Sequence, residues 1–127
     1  MKYYTIYNTE TGLIKRIGCC ADVDYNIQTK NTENIIEGIF PSDKYYVVNN
    51  IPILKTEFED VSDRQISINS ATTFINLPNP TLIYIENNLQ TTTDGIFEIS
   101  FNYEGTYYLI FKSVSKYDKE IKIEVST

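Results

Sequence analysis

Cys19 and Cys20 stand side by side, and acidic residues gather closely at Asp22 and Asp24, at Glu57, Glu59 and Asp60, and at Asp118 and Glu120. The chemistries these suggest are thiolate attack, acid–base work by paired carboxylates, and cation binding. Composition argues against each. The chain has no histidine, so neither a serine nor a cysteine nucleophile has an imidazole to activate it. Two thiols alone cannot complete a four-ligand zinc site. Neighbouring cysteines on a strand point to opposite faces, which does not suit an ordinary disulfide; the pair reads as two small hydrophobes. Glycosidase-type catalysis needs two carboxylates in contrasting environments, whereas each acidic group here lies in a polar, solvated stretch. The run ADVD offers oxygen ligands but no DxDxDG loop follows. Phosphate-cradling glycine loops are absent, and Gly105 in NYEGTY reads as a turn residue before a strand. The expectation is a protein that is not an enzyme, with no catalytic, cofactor-binding or metal-ligating residues and no cofactor.

Size and charge narrow the remaining classes. At 127 residues the chain suits one domain or two very small ones, and a core without disulfide staples is within reach. Hydrophobic residues at 42% and charged ones at 22% are ordinary for a globular protein and argue against long disorder. The net charge of −6, with no basic run, argues against direct binding to a nucleic-acid backbone. The opening MKYYTIYNTETG lacks an apolar stretch of signal-peptide length, and nowhere do 18 apolar residues run together. The expectation is folding in a cytoplasm, with no membrane partner. Eleven tyrosines and six phenylalanines favour a β-rich interaction protein, because these rings suit strands and wet interfaces.

The elements follow from a hydrophobic period of two. Strands are expected at 2–7 and 13–18 around the turn NTETG, then a helical turn over 22–28 and a strand at 34–40. A hairpin over 44–55 turns on Asn49–Asn50, a pair tolerant of left-handed backbone, and Pro52 marks its returning strand as an edge. The acidic run TEFEDVSDR lacks apolar alternation and reads as a linker at 57–64, with a short helical turn as the alternative. Further strands are expected at 65–69, 72–76, 81–87, 88–93, 95–101, 106–113 and 119–126. The stretch DGIFEISFNYEGTYYLIFKSV reads as a strand pair turning at Gly105. Phe97, Ile99 and Phe101 share one face, Tyr107, Leu109 and Phe111 the matching one, and Ile121, Ile123 and Val125 line the last strand. The predicted fold is all-β and mostly antiparallel: an N-terminal β-hairpin module at 1–56, the linker at 57–64, and an Ig-like β-sandwich at 65–127.

Tyrosines come in adjacent pairs, Tyr3–Tyr4, Tyr45–Tyr46 and Tyr107–Tyr108. On a strand each pair sends one ring inward and one outward. Tyr3, Tyr45 and Tyr108 are the candidate interface aromatics, able to stack on sugars or dock on protein, against the alternative of ordinary cross-strand filling.

The order of turn and strand motifs resembles a family of small tailed-bacteriophage tail proteins. Thr11–Gly12, Cys19 or Cys20, Ile36–Glu37–Gly38 and Tyr45–Tyr46–Val47 match its N-terminal module. Leu77–Pro78, Asp94–Gly95, Gly105–Thr106–Tyr107 and Tyr117 with Glu120 match the sandwich that follows. Glu104 and Lys116 stand where that pattern has proline, which loosens two turns. The resemblance implies a virion structural or accessory protein, associated with tail or tail fibre, and carries over no site residues. Its partners would be other virion proteins, in a homo-oligomer or a symmetric assembly of many copies, with assembly in the host cytoplasm. The alternatives are a capsid decoration protein and a carbohydrate- or cell-surface-binding sandwich.

Overall fold

The computed structural model describes the backbone of residues 1–127 and the side chains of all but Val23 and Ile27. The fold is all-β and mostly antiparallel, and the chain divides into two units, Met1–Thr56 and Glu57–Thr127.

In the first unit, β1 (Lys2–Asn8) lies between β2 (Ile14–Cys20) and β3 (Glu33–Glu37), antiparallel to both. The expected opening hairpin is therefore part of a three-stranded sheet. Its turn is built from local hydrogen bonds: Asn8 Oδ1 accepts from the N–H groups of Glu10 at 2.8 Å and Thr11 at 3.0 Å. Gly12 follows with φ of +80°, and a Cβ there would stand 2.5 Å from the Val47 carbonyl oxygen. Only glycine satisfies both the backbone sign and the close approach.

One face of this sheet carries Tyr7, Ile14 and Ile36, which form a small core with Val47. Val47 belongs to a separate hairpin, β4 (Tyr45–Val48) and β5 (Ile51–Leu54), tied to the sheet by Val47 N–H donating to Gly12 O at 2.9 Å. Asn49 and Asn50 take φ of 50° and 66° in its turn, as two-residue hairpins require. On the sheet's other face Ile6 is wholly buried, opposite Arg16 and Ile35. The 3-10 turn Asp22–Ile27 precedes Gln28, whose carbonyl accepts from Arg16 at 2.8 Å.

The second unit has a five-stranded sheet ordered β6-β12-β11-β8-β9 and a two-stranded ribbon of β7 and β10. Their ranges are β6 (Arg64–Ser67), β7 (Ala71–Phe74), β8 (Thr81–Ile85), β9 (Asn88–Thr92), β10 (Phe97–Ser100), β11 (Gly105–Ser113) and β12 (Lys116–Ser126). The first and last of these, β6 and β12, pair in parallel. Ile83, Ile85, Leu109, Phe111, Ile121, Ile123 and Val125 of the sheet join Phe74 and Phe97 of the ribbon in one buried cluster. Phe111 is the hub: the rings of Phe74, Phe58 and Phe97 lie 5.0, 6.1 and 6.3 Å from it. Each such buried side chain contributes about 1.5–3 kcal/mol.

Two expectations are corrected here. The acidic segment 57–64 is no linker: Phe58 and Val61 are buried in the second unit's core, and Arg64 opens β6, its guanidinium 4.6 Å from the centre of the Phe74 ring. Two apolar side chains three residues apart suffice to pin a stretch in which residues 57, 59, 60, 62 and 63 stay exposed. Nor do the strands around Gly105 pair with each other. β10 pairs with β7, whereas β11 pairs with β12 and β8, so residues 101–104 carry the chain from the ribbon to the sheet. Phe101 stacks on Tyr107 with ring centres 3.9 Å apart, and the Tyr107 hydroxyl donates to the Tyr103 carbonyl at 3.0 Å, which fixes that passage.

Candidate docking surfaces

The three tyrosines singled out above have different fates. Tyr3, on β1, is 56% exposed, and its neighbour Tyr4 lies over Gly18, where a Cβ would stand 2.7 Å from its hydroxyl. Tyr108, on β11, is also 56% exposed, opposite Lys122, while Tyr107 turns towards the core. Tyr45 is the exception. Its ring meets Phe40 edge-on at 5.3 Å beside the first unit's core, and Tyr46 is half-buried too. A ring held in this way fills the sheet's flank and is only partly open to a partner. Tyr3 and Tyr45 belong to the first unit and Tyr108 to the second.

The sheet of the second unit sets a different group together on its outer face. Glu120, Ile110, Tyr84 and Leu89 stand opposite one another in turn across β12, β11, β8 and β9. Tyr108 is diagonal to Tyr84 on the same face, within reach for long side chains. Lys112 crosses this face with Nζ 5.6 Å from the Tyr84 ring centre, and is held by Asp118 at 3.3 Å. The alternation in TLIYIE signals Tyr84 as outward-facing, but only the strand order reveals its neighbours.

A further surface escaped notice in the sequence. On the hairpin β4–β5, Val48 and Ile51 pair across the strands and are 44% and 62% exposed, with Tyr46 and Ile53 on the same face. The legible signal is ten residues, YYVVNNIPIL at 45–54, without one charge. One face of such a ribbon packs on the core through Val47, and the other faces water.

Several ionisable groups hold local structure. Glu33 receives both terminal nitrogens of Arg16 at 3.0 and 2.9 Å, the N–H of Lys30 at 2.8 Å, and the ammonium of Lys15 at 3.1 Å. The Arg16 guanidinium foremost, then the Lys30 N–H, hold its carboxyl down at about 2, and Glu33 in turn raises Arg16. Asp94 is lowered by the Thr92 hydroxyl and the Ile96 N–H, in the turn before β10. Lys122 is raised by Glu124 at 3.3 Å. Burial raises Tyr25, helped by Glu37 and Cys20. Asp60 accepts from the Asn76 amide at 3.0 Å.

The carboxylates singled out in the sequence are thus partly spent on local contacts. Among the described residues no group of three or more His, Cys, Asp or Glu side chains is placed to hold a metal ion. Cys19 is exposed and Cys20 half-exposed, both as free thiols. The surface of the described residues has hollows. One of about 260 Å³ lies between the Phe58–Val61 segment and Ile75–Leu77, and one of about 320 Å³ is lined by Tyr7, Thr9, Thr11, Asn34, Asn49 and Asn50. In the second, Asn50 Oδ1 accepts from the Tyr7 hydroxyl and, at 2.8 Å, from the Asn34 amide. Two of the amides that line it, those of Asn34 and Asn50, are therefore bonded to each other. No helix among the described residues is long and apolar enough to cross a membrane.

Compared with known protein families, curated proteins and solved structures, the chain matches none.

Proposed function

We propose that this protein is a bacteriophage virion structural or accessory protein, associated with tail or tail fibre, that acts by docking onto other virion proteins. The family comes from the order of turn and strand motifs in the sequence. The docking rests on one observation: an uncharged ribbon, β4–β5, with Val48 and Ile51 paired and open to solvent. Exposed side chains of this kind lose little by waiting for a partner and gain hydrophobic free energy when covered. The second unit is read as an Ig-like sandwich. Parallel pairing of its first and last strands, and the Tyr107 hydroxyl bound back to Tyr103 at the ribbon-to-sheet passage, support that reading. Mass spectrometry of purified particles tests the proposal. The chain is expected there in fixed proportion to the tail proteins, and its restriction to the lysate of infected cells would refute it.

A second reading, a carbohydrate- or cell-surface-binding module, draws on Tyr84 and Tyr108 sharing the outer face of the five-stranded sheet beside Lys112. Specific retention on a glycan array, lost in Tyr108→Ser, would favour it over a purely structural role.

A further inference from the structure

Strand β9 lies at the open edge of the five-stranded sheet, and four of its five residues, Asn88 to Thr91, are exposed. An open edge invites pairing, and proteins blunt it with charge, proline or a bulge. This edge has none of these. Residues 87–93, NNLQTTT, carry no charge and no proline, and the β8–β9 register runs without a shift. The sheet's opposite edge differs. There Arg64 lies on β6, and just before it Asp63 accepts the N–H of Lys122 at 3.0 Å.

With Ile85 and Asn88 closing the two-residue turn, the main-chain groups of Leu89 and Thr91 point away from β8. The outer-face row Ile110, Tyr84, Leu89 runs straight to this edge and stops at Leu89, which is 52% exposed.

We propose that β9 pairs antiparallel with β9 of a second copy of this chain, Leu89 opposite the second copy's Leu89, joining two five-stranded sheets into one of ten. A copy fits because the strand is complementary to itself. In this register each Leu89 exchanges both main-chain hydrogen bonds with its counterpart, Gln90 faces Asn88, and Thr91 faces Asn87. No like charges meet at the seam, and the two apolar rows become one. The acidic balance of the unit, five basic against eleven acidic residues at 57–127, opposes the approach from a distance. Added salt therefore strengthens the pair. This pairing does not depend on which particle the chain belongs to.

Sedimentation of the full chain over a range of concentration and salt reads the association, and two cysteine variants read the register. The expected result is a monomer–dimer equilibrium favoured by salt. Leu89→Lys weakens it by at least about tenfold with an unchanged circular-dichroism spectrum. In a background of Cys19→Ser and Cys20→Ser, Leu89→Cys is expected to form a covalent dimer on mild oxidation. Hydrogen-bonded antiparallel pairs have Cα atoms about 5.5 Å apart, within disulfide reach. Thr91→Cys, which does not face itself, lags far behind. A chain that stays monomeric throughout overturns the proposal. So does a dimer indifferent to Leu89→Lys, or equal cross-linking at the two positions.

Discussion

The two units solve the same problem with different means. Residues 1–56 carry six basic and six acidic side chains, so their formal charge is zero; the whole of the −6 resides in 57–127. Among the described residues, the first unit's core cluster has four buried members and the second's has twelve. Short units bury a smaller share of their surface, and the first compensates with polar clamps. Glu33 gathers Arg16, Lys15 and the Lys30 N–H. The buried hydroxyl of Thr5 donates to Gly38 O at 2.8 Å and accepts from Phe40 N–H at 2.9 Å. The second unit relies on phenylalanines packed edge-on and tilted around Phe111. At the surface both units expose large apolar side chains, among them Tyr3, Val48 and Ile51 on the neutral unit and Ile75, Leu89 and Tyr108 on the acidic one. What sets the neutral unit apart is the uncharged β4–β5 ribbon that carries Val48, Ile51 and Leu54.

The largest effect that would break this contrast is in the second unit's core. Phe111→Ala removes the ring that Phe58, Phe74 and Phe97 surround, and is expected to cost about 3–5 kcal/mol in urea denaturation. The first unit's amide signals should stay in place at urea concentrations where those of the second have collapsed; simultaneous loss of both sets would show that the units fold as one.

Gly12→Ala probes the first unit in the same way. The positive φ and the Val47 carbonyl at 2.5 Å predict a loss of about 1–3 kcal/mol confined to residues 1–56, read by hydrogen exchange. An unchanged exchange pattern would mean that the β1–β2 turn does not anchor the β4–β5 hairpin.

The Glu33 clamp gives an effect smaller still, and tied to pH. Its carboxyl is held at about 2 in the folded chain against an ordinary 4.5. Between those values the unfolded chain binds more protons, so stability rises with pH. The clamp contributes fully above about 4.5 and is lost as pH falls through about 2. Glu33→Gln should lower the first unit's melting point near neutral pH and leave little difference from the native chain near pH 2. A gap that persists in acid would rule out the carboxylate as its source.

The smallest effects on stability are at the exposed rings. Tyr3→Ser and Tyr108→Ser should each change stability by no more than about 0.5 kcal/mol. Their consequence is read in docking instead. Ile51→Lys, on the uncharged ribbon, is expected to reduce incorporation into particles more than Tyr108→Ser does; the reverse order would move the docking surface to the acidic unit.

Much of this was legible in the sequence because alternation is local. The outward or inward sense of Phe97, Leu109, Phe111, Ile121 and Ile123 follows from pleating alone, and so do the strands that carry them. The turns at Gly12 and at Asn49–Asn50 announce themselves through residues that accept a positive φ. Of the candidate tyrosines, Tyr3 and Tyr108 stand open. Tyr45 does not, because Phe40, five residues away along the chain, folds back onto its ring. The segment 57–64 reads as a linker because two buried side chains, Phe58 and Val61, make no period that a pattern can register.

What the chain's order of residues determined by itself was which side chains seek the interior and where the backbone reverses, since both depend on neighbours one to four positions apart. Which strand lies beside which was decided only in three dimensions. β10 and β11 follow one another in the chain yet join different sheets, and β6 finds β12 some sixty residues away. Strand partners are chosen by the free energy of closing one shared core around Phe111. That quantity belongs to all the strands at once and to no single stretch of sequence.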